Sequence, residues 1–393
     1  MMAMRWSLSR MSLLLCMVAV MLFALACQQE EEAPTPSQQT PSAGRLSGVV
    51  KVGVPISITG TAVFAGSQQK EGIDLAVEEI NRSGFLDDAR IEVVYVDHKD
   101  TAEDGVNVVR QLISQGVVAI TGFTWTHVAL AAMPIINDAK VPTVVQIAAG
   151  KGIVESGPYA YRVQPQQDRY ANKMGEELRA RGVRTTALIY ADDSPVFLDL
   201  RERFLREVFP RVGIQVVTEE VIKVRTTDFT AIASKVVSAN PDAVGIFTAG
   251  APNCTAVKQL RQAGYRGQIW GQYGMAGGVI ANCGPEAEGV LFLQPFHPDL
   301  PYDSTKRFVQ LFQNRYNKAP TVFHALGYDG MWMVARAVKA AGCISAECLQ
   351  RGLTQVASQE FDGAQGPLRF SERDATGAGT VTEVKGGKEV LVR

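Results

Sequence analysis

From Val49 onward, short β-branched runs alternate with stretches of helical periodicity at intervals of roughly thirty residues. That rhythm constrains the chain more than any single motif, because strands separated by helices are arranged for parallel pairing through crossovers. Strands are predicted over residues 49–54, 91–97, 117–121 and 143–147, with helices over 68–81, 102–115 and 128–138 between them. A break at 165–168, led by Pro165, is the natural first passage to a second series. There the pattern predicts helices over 169–181, 197–208, 229–238 and 255–263, and strands over 186–190, 214–221, 243–248, 268–271 and 289–293. Helices over 304–316, 322–341 and 346–353 follow, then strand-like runs at 368–370, 380–384 and 389–392. The fold class expected is α/β, with two doubly wound parallel-sheet lobes.

One stretch gathers features of a ligand site. The apolar run 117–120 leads through Thr121-Gly122-Phe123-Thr124-Trp125-Thr126 into a helix, and the next strand ends at Ala148-Ala149-Gly150. Neighbouring parallel strands put both turns on one sheet edge, where open α/β sheets bind ligands. Thr126 can cap the helix that it opens, and the free N–H groups there can seat a carboxylate. Capping alone and carboxylate binding both remain open on residue type.

Charge excludes some partners. With 39 Lys+Arg against 40 Asp+Glu and a pI near 6.5, no global field favours nucleic acid, and 393 residues at 46% hydrophobic content suffice for two cores. Arg5 and Arg10 precede the apolar run 11–26, too short for a membrane span and suited to a signal peptide over residues 1–26. Ala24-Leu25-Ala26-Cys27 then resembles a bacterial lipobox, which would make Cys27 a lipidated first residue; an ordinary cleavage site is the alternative. Residues 27–48, rich in Glu, Gln, Pro, Ser and Thr, read as a flexible tether with a root-mean-square span of roughly 25 Å.

Four cysteines fall in the expected folded part. Outside the cytosol their even number suggests disulfides, and spacing favours Cys254 with Cys283 and Cys343 with Cys348; free buried thiols are the alternative. No paired C-x-x-C pattern accompanies the four histidines, at 98, 127, 297 and 324, so neither zinc nor another metal is expected. No cofactor motif is found. The chain lacks G-x-S-x-G, H-E-x-x-H and the P-loop, and Gly271, Gly274, Gly277 and Gly278 do not match G-x-G-x-x-G. His127 beside Thr126 and the pair Asp192-Asp193 invite acid–base readings, but adjacent helix residues diverge and an acidic pair after a strand usually caps a helix.

Several segments carry a resemblance. Val52-Gly53-Val54-Pro55, Thr59-Gly60, Gly72-Ile73-Asp74-Leu75-Ala76-Val77-Glu78-Glu79-Ile80-Asn81, Ala131-Ala132-Met133-Pro134, Tyr161-Arg162-Val163-Gln164-Pro165, Gln259-Leu260-Arg261-Gln262-Ala263-Gly264 and Phe361-Asp362-Gly363-Ala364-Gln365-Gly366-Pro367-Leu368-Arg369-Phe370 stand in order along the chain. Together they resemble the type I solute-binding proteins of ABC importers, in the leucine/isoleucine/valine-binding group. The resemblance covers about residues 49–393.

It implies two lobes joined by three hinge strands, lobe 1 from 49–166 plus 297–375 and lobe 2 from 167–296 plus 376–393, closing on a small ligand. It also implies a monomeric extracytoplasmic receptor that delivers an amino acid or related carboxylate or amide to a permease, without catalysis. A sensory ectodomain and an exported enzyme are the competing classes. By matching position, the ligand carboxylate would meet Thr126 and the backbone of Ile147, Ala148 and Ala149, with Trp125 beside them. Phe64 and Ala65 would form a wall, and Phe197, Pro252, Asn253 and Tyr273 would close from the second lobe. Two departures stand out: Tyr273 occupies the place where amino-acid binders often carry an acid, and Ala149 the place of a usual hydroxyl. A phenol is uncharged at neutral pH.

Overall fold

The computed structural model describes residues 45–392. The expected signal segment, Cys27 and nearly all of the expected tether lie outside them, while the two residues at the tether's end, Ser47 and Gly48, already belong to the first strand.

The first sheet is built from β1 (Ser47–Ile56), α1 (Val63–Ser83), β2 (Asp88–Asp97), α2 (Ala102–Ser114), β3 (Ala119–Gly122), α3 (Thr126–Ala139), β4 (Thr143–Val145) and β5 (Ala160–Arg162). Val50, Val52 and Val54 of β1 are all fully buried, as a strand covered on both faces requires. β1 sits between β2 and β3, with Val52 opposite Val93 on one side and Ala119 on the other, all in parallel. α1 ends at Gly84 in the left-handed conformation, φ 66°, as the Asn-Arg-Ser-Gly run predicts.

After β5 the chain passes to a second sheet. Its parts are α4 (Ala171–Ala180), β6 (Thr185–Ala191), α5 (Pro195–Arg203), β7 (Gln215–Ile222), α6 (Thr230–Ala239), β8 (Ala243–Phe247), α7 (Ala251–Gln262), β9 (Gln268–Gly271) and β10 (Leu291–Gln294). The helix expected over 197–208 thus starts two residues earlier and runs on through a π-turn, Phe204–Val208. The chain then returns to the first sheet with α8 (Asp303–Tyr316), α9 (Val322–Ala341) and α10 (Ala346–Ala357). Arg307 and Arg315 of α8 pair there with Glu79 and Glu78 of α1. A small hairpin, β11 (Phe361–Gly363) with β12 (Gly366–Leu368), precedes β13 (Phe370–Ser371) and β14 (Asp374–Ala375), which extend the first sheet. β15 (Thr380–Lys385) and β16 (Lys388–Leu391) complete the second.

Each sheet has seven strands, ordered β13-β14-β5-β4-β3-β1-β2 and β16-β15-β10-β9-β8-β6-β7. The chain therefore crosses between sheets three times, after β5, after β10 and between β14 and β15. A buried clamp braces two of these passages: the Arg162 guanidinium grips the Asp374 carboxylate through Nε and Nη2, at 2.7 and 2.9 Å. Gln166 and Arg169, on the first passage, donate to the same Asp374 Oδ2 at 2.8 and 3.0 Å. Disulfides join Cys254 to Cys283 and Cys343 to Cys348, the pairing that spacing favours.

Candidate functional site

A narrow cleft lies beyond the carboxyl ends of β1, β3, β4, β6, β8 and β9. Its first-lobe wall comes from the loop after β1 and the start of α1 (Ala62, Phe64, Ala65), the turn after β3 (Thr124, Trp125, Thr126), Ile147 after β4, and Phe323 at the start of α9. The second lobe contributes Val196, Phe197, Ala249, Gln272, Tyr273 and Gly274. The wall holds no acid and no base.

The turn after β3 is held from several directions. Phe123 takes φ 63°, costly for a bulky side chain, and is fixed there because its N–H donates to Pro55 O and its carbonyl accepts from Ile147 and Ala148. Thr126 is the first residue of α3 and does not cap it: Trp125, extended at φ −114°, holds the N-cap position and makes no side-chain cap bond. Instead the Thr126 hydroxyl accepts from the Gly150 N–H at 3.1 Å. This leaves its O–H to donate, next to the free N–H groups of the helix start. The Trp125 indole N–H, on a side chain 6% exposed, has no partner among the described residues. In the same turn, Thr124 accepts from the Ser57 N–H and donates to Gln69, whose amide bonds Gln146.

Tyr273 crosses the cleft. Its hydroxyl donates to the Ile147 carbonyl at 2.9 Å, and burial pushes the phenol pKa up, so it stays a protonated donor. The side chain of Gln272 fixes the loop that presents it: its Oε1 accepts from the Gly274 N–H and from Gln167, while its Nε2 donates to Thr248 O.

Of the residues expected from sequence, Phe64, Ala65, Trp125, Thr126, Ile147, Phe197 and Tyr273 meet in this wall. Four do not. Ala148 and Ala149 are buried behind it, their backbones bonded to Phe123 O and the Gln167 N–H. α7 begins at Ala251, which places Pro252 in its first turn and turns the Asn253 amide inward. There it donates to Thr248 O and Gly274 O, both at 3.1 Å, tying two wall loops together. Phe323 was not foreseen, since it arrives from a helix some two hundred residues downstream of Trp125 and carries no local signal beyond the Thr321-x-x-His324 cap.

The other chemical candidates have structural partners. His127 Nε2 meets Asp100 O at 3.0 Å, Asp192 pairs with Lys223, and Asp193 accepts from the Val224 N–H. Among the described residues, no group of three His, Cys, Asp or Glu side chains could hold a metal, and no helix is long and apolar enough to cross a membrane.

Residues 49–388 match the family model described as periplasmic binding protein. The chain is 26% identical over 332 residues to a Leu/Ile/Val-binding protein homologue of Brucella melitensis, covering 81% of this chain and 83% of that one. A leucine-binding protein of Thermotoga maritima superposes with a TM-score of 0.81 at 26% identity, over 88% of this chain and 98% of that one. A solute-binding protein of R. palustris in complex with benzoate gives the same TM-score at 23% identity, over 88% and 96%. A branched-chain amino acid transporter substrate-binding protein of Streptococcus pneumoniae, in complex with isoleucine, does so too at 23%, over 88% and 99%. A cleft between two largely parallel sheets, walled from both and met by a helix start, fits that assignment, and the chain belongs to the periplasmic binding protein family.

Proposed function

We propose that this protein is the extracytoplasmic receptor of an ABC importer, trapping a small carboxylate or amide between its lobes and presenting it to a permease. The observation that carries the reading is the pair of hydrogen-bond donors on the turn after β3. The Thr126 hydroxyl is oriented by Gly150, and the Trp125 indole N–H beside it is unpartnered, within a wall drawn from both lobes. An anion placed there meets these donors and the positive end of α3. Isoleucine and benzoate, held by two of the similar structures, share only a carboxylate and an apolar body, which is what such a wall accommodates. The lobes comprise residues 49–166 with 297–375, and 167–296 with 376–393, and Cys27 supplies the lipid anchor.

Mass spectrometry of small molecules released from purified, denatured protein tests the reading. A stoichiometric carboxylate or amide, recovered unchanged, supports it; turnover of added ligand would favour an enzyme instead.

A further inference from the structure

Building on this receptor reading, we propose that Tyr273 sets the ligand class: the cavity accepts a carboxylate with an apolar or aromatic body and no ammonium group. The argument is an inventory of hydrogen-bonding capacity. An α-ammonium is best met by a carboxylate, and the wall contains no Asp or Glu. The one polar side-chain atom of the wall without any partner among the described residues is the Trp125 indole nitrogen, and the Thr126 hydroxyl hydrogen is free beside it; both donate.

The carboxamide oxygens of Gln164, Gln167 and Asn253 have no partner among the described residues but are buried and outside the cavity lining, and several nearer acceptors are already engaged. The Ile147 carbonyl receives the Tyr273 hydroxyl at 2.9 Å, so the phenol stands where a ligand ammonium would otherwise donate. Gln272 Oε1 receives two donors, and Thr124 Oγ1 is engaged by Ser57 and Gln69. Asp100 holds the loop that bears Ala62, and its carboxylate accepts from the Ser57 and Thr61 hydroxyls and from the Ala62 N–H. The remaining wall is largely aromatic. Phe323 packs edge-on against Phe64 with ring centroids 5.6 Å apart, and 6.1 Å from Tyr273. Such a wall suits a flat or branched apolar body.

Titration calorimetry with ligand pairs that differ only in the ammonium decides the matter. The pairs are 4-methylpentanoate with leucine and 3-phenylpropanoate with phenylalanine, and benzoate serves as a third acid. At least one acid is expected to bind, with each amino acid at least about a hundredfold weaker than its acid, because an ammonium enters the wall unpaired. Tyr273→Glu is expected to raise the leucine to 4-methylpentanoate affinity ratio at least tenfold. If that variant does not fold, Tyr273→Phe frees the Ile147 carbonyl while keeping the ring, and the ratio must still rise.

Wild-type protein that binds leucine as tightly as 4-methylpentanoate overturns the proposal and leaves the receptor reading intact. An unchanged ratio in both variants also overturns it. Failure of every acid and amino acid, with no carboxylate or amide released on denaturation, overturns the receptor reading and the proposal together.

Discussion

Replacing Asp374 with Ala should destabilise the protein by about 3–5 kcal/mol, because it strands a buried guanidinium. Arg162 is 0% exposed and Asp374 3%, so water cannot replace the lost partner without local opening. The carboxylate accepts four hydrogen bonds, two from Arg162 and one each from Gln166 and Arg169, and truncation removes all of them. The Arg162 guanidinium retains only its bond to Gly150 O at 2.6 Å. Glu383, gripped by Arg181 through two bonds, is a control: the Arg181 side chain is 28% exposed, and Glu383→Ala should cost about 1 kcal/mol. Urea unfolding followed by both fluorescence and circular dichroism measures the difference, provided the two probes coincide and the denaturant slope is unchanged. The double replacement Arg162→Met, Asp374→Leu removes both charges and should recover most of the loss. A cost below about 1 kcal/mol for Asp374→Ala, or a double variant no better than the single, would refute the reasoning.

Thr126→Val should weaken binding of the released carboxylate by about ten- to a hundredfold, the worth of a hydrogen bond to a charged group. Gly150→Ala should do at least as much, since its Cβ would stand 2.5 Å from Thr126 Cγ2; wild-type affinity in calorimetry would count against both. His324 Nδ1 accepts the Thr321 N–H in the cap of α9, so the ring is neutral, with Nε2 donating to Glu71. Burial holds the His324 pKa below its ordinary 6.5, so protonation favours unfolding and stability should fall as pH drops below about 6.5. Unfolding midpoints from pH 7.5 to 5 should show this loss in the wild type and less of it in His324→Gln. Replacing Cys254 and Cys283 together by Ser should cost about 3–4 kcal/mol for a loop of 29 residues, and the Cys343–Cys348 pair about 2 kcal/mol for a separation of 5, read from unfolding midpoints.

Much of the fold is legible because parallel strands and their helices impose unlike periods on the sequence. The centres of β1, β2, β6, β8 and β9 fall where the pattern puts them. β5 was missed for a definite reason: it has three residues, and one is Arg162, whose burial depends on a partner 212 residues away. The site divides in the same way. Trp125 and Thr126 are adjacent on one turn and could be found from it, but the Thr126 hydroxyl bonds Gly150, and helix capping, the local interpretation, does not occur. Pro252 and Asn253 lie outside the wall because the onset of α7 at Ala251 decides which side faces the cavity, and boundaries are the least legible part of a helix.

Gly150 links two functions usually discussed apart. Its N–H aims the Thr126 hydroxyl, and its carbonyl is held by Arg162, the same guanidinium that clamps Asp374 beside the third passage between the sheets. The proposed ligand seat and the passages between the sheets are thus separated by one residue and one side chain. Substitutions that stiffen or loosen the clamp will register in affinity as well as in closure. A change in ligand preference that moves residue 150 will, for the same reason, alter how readily the lobes open.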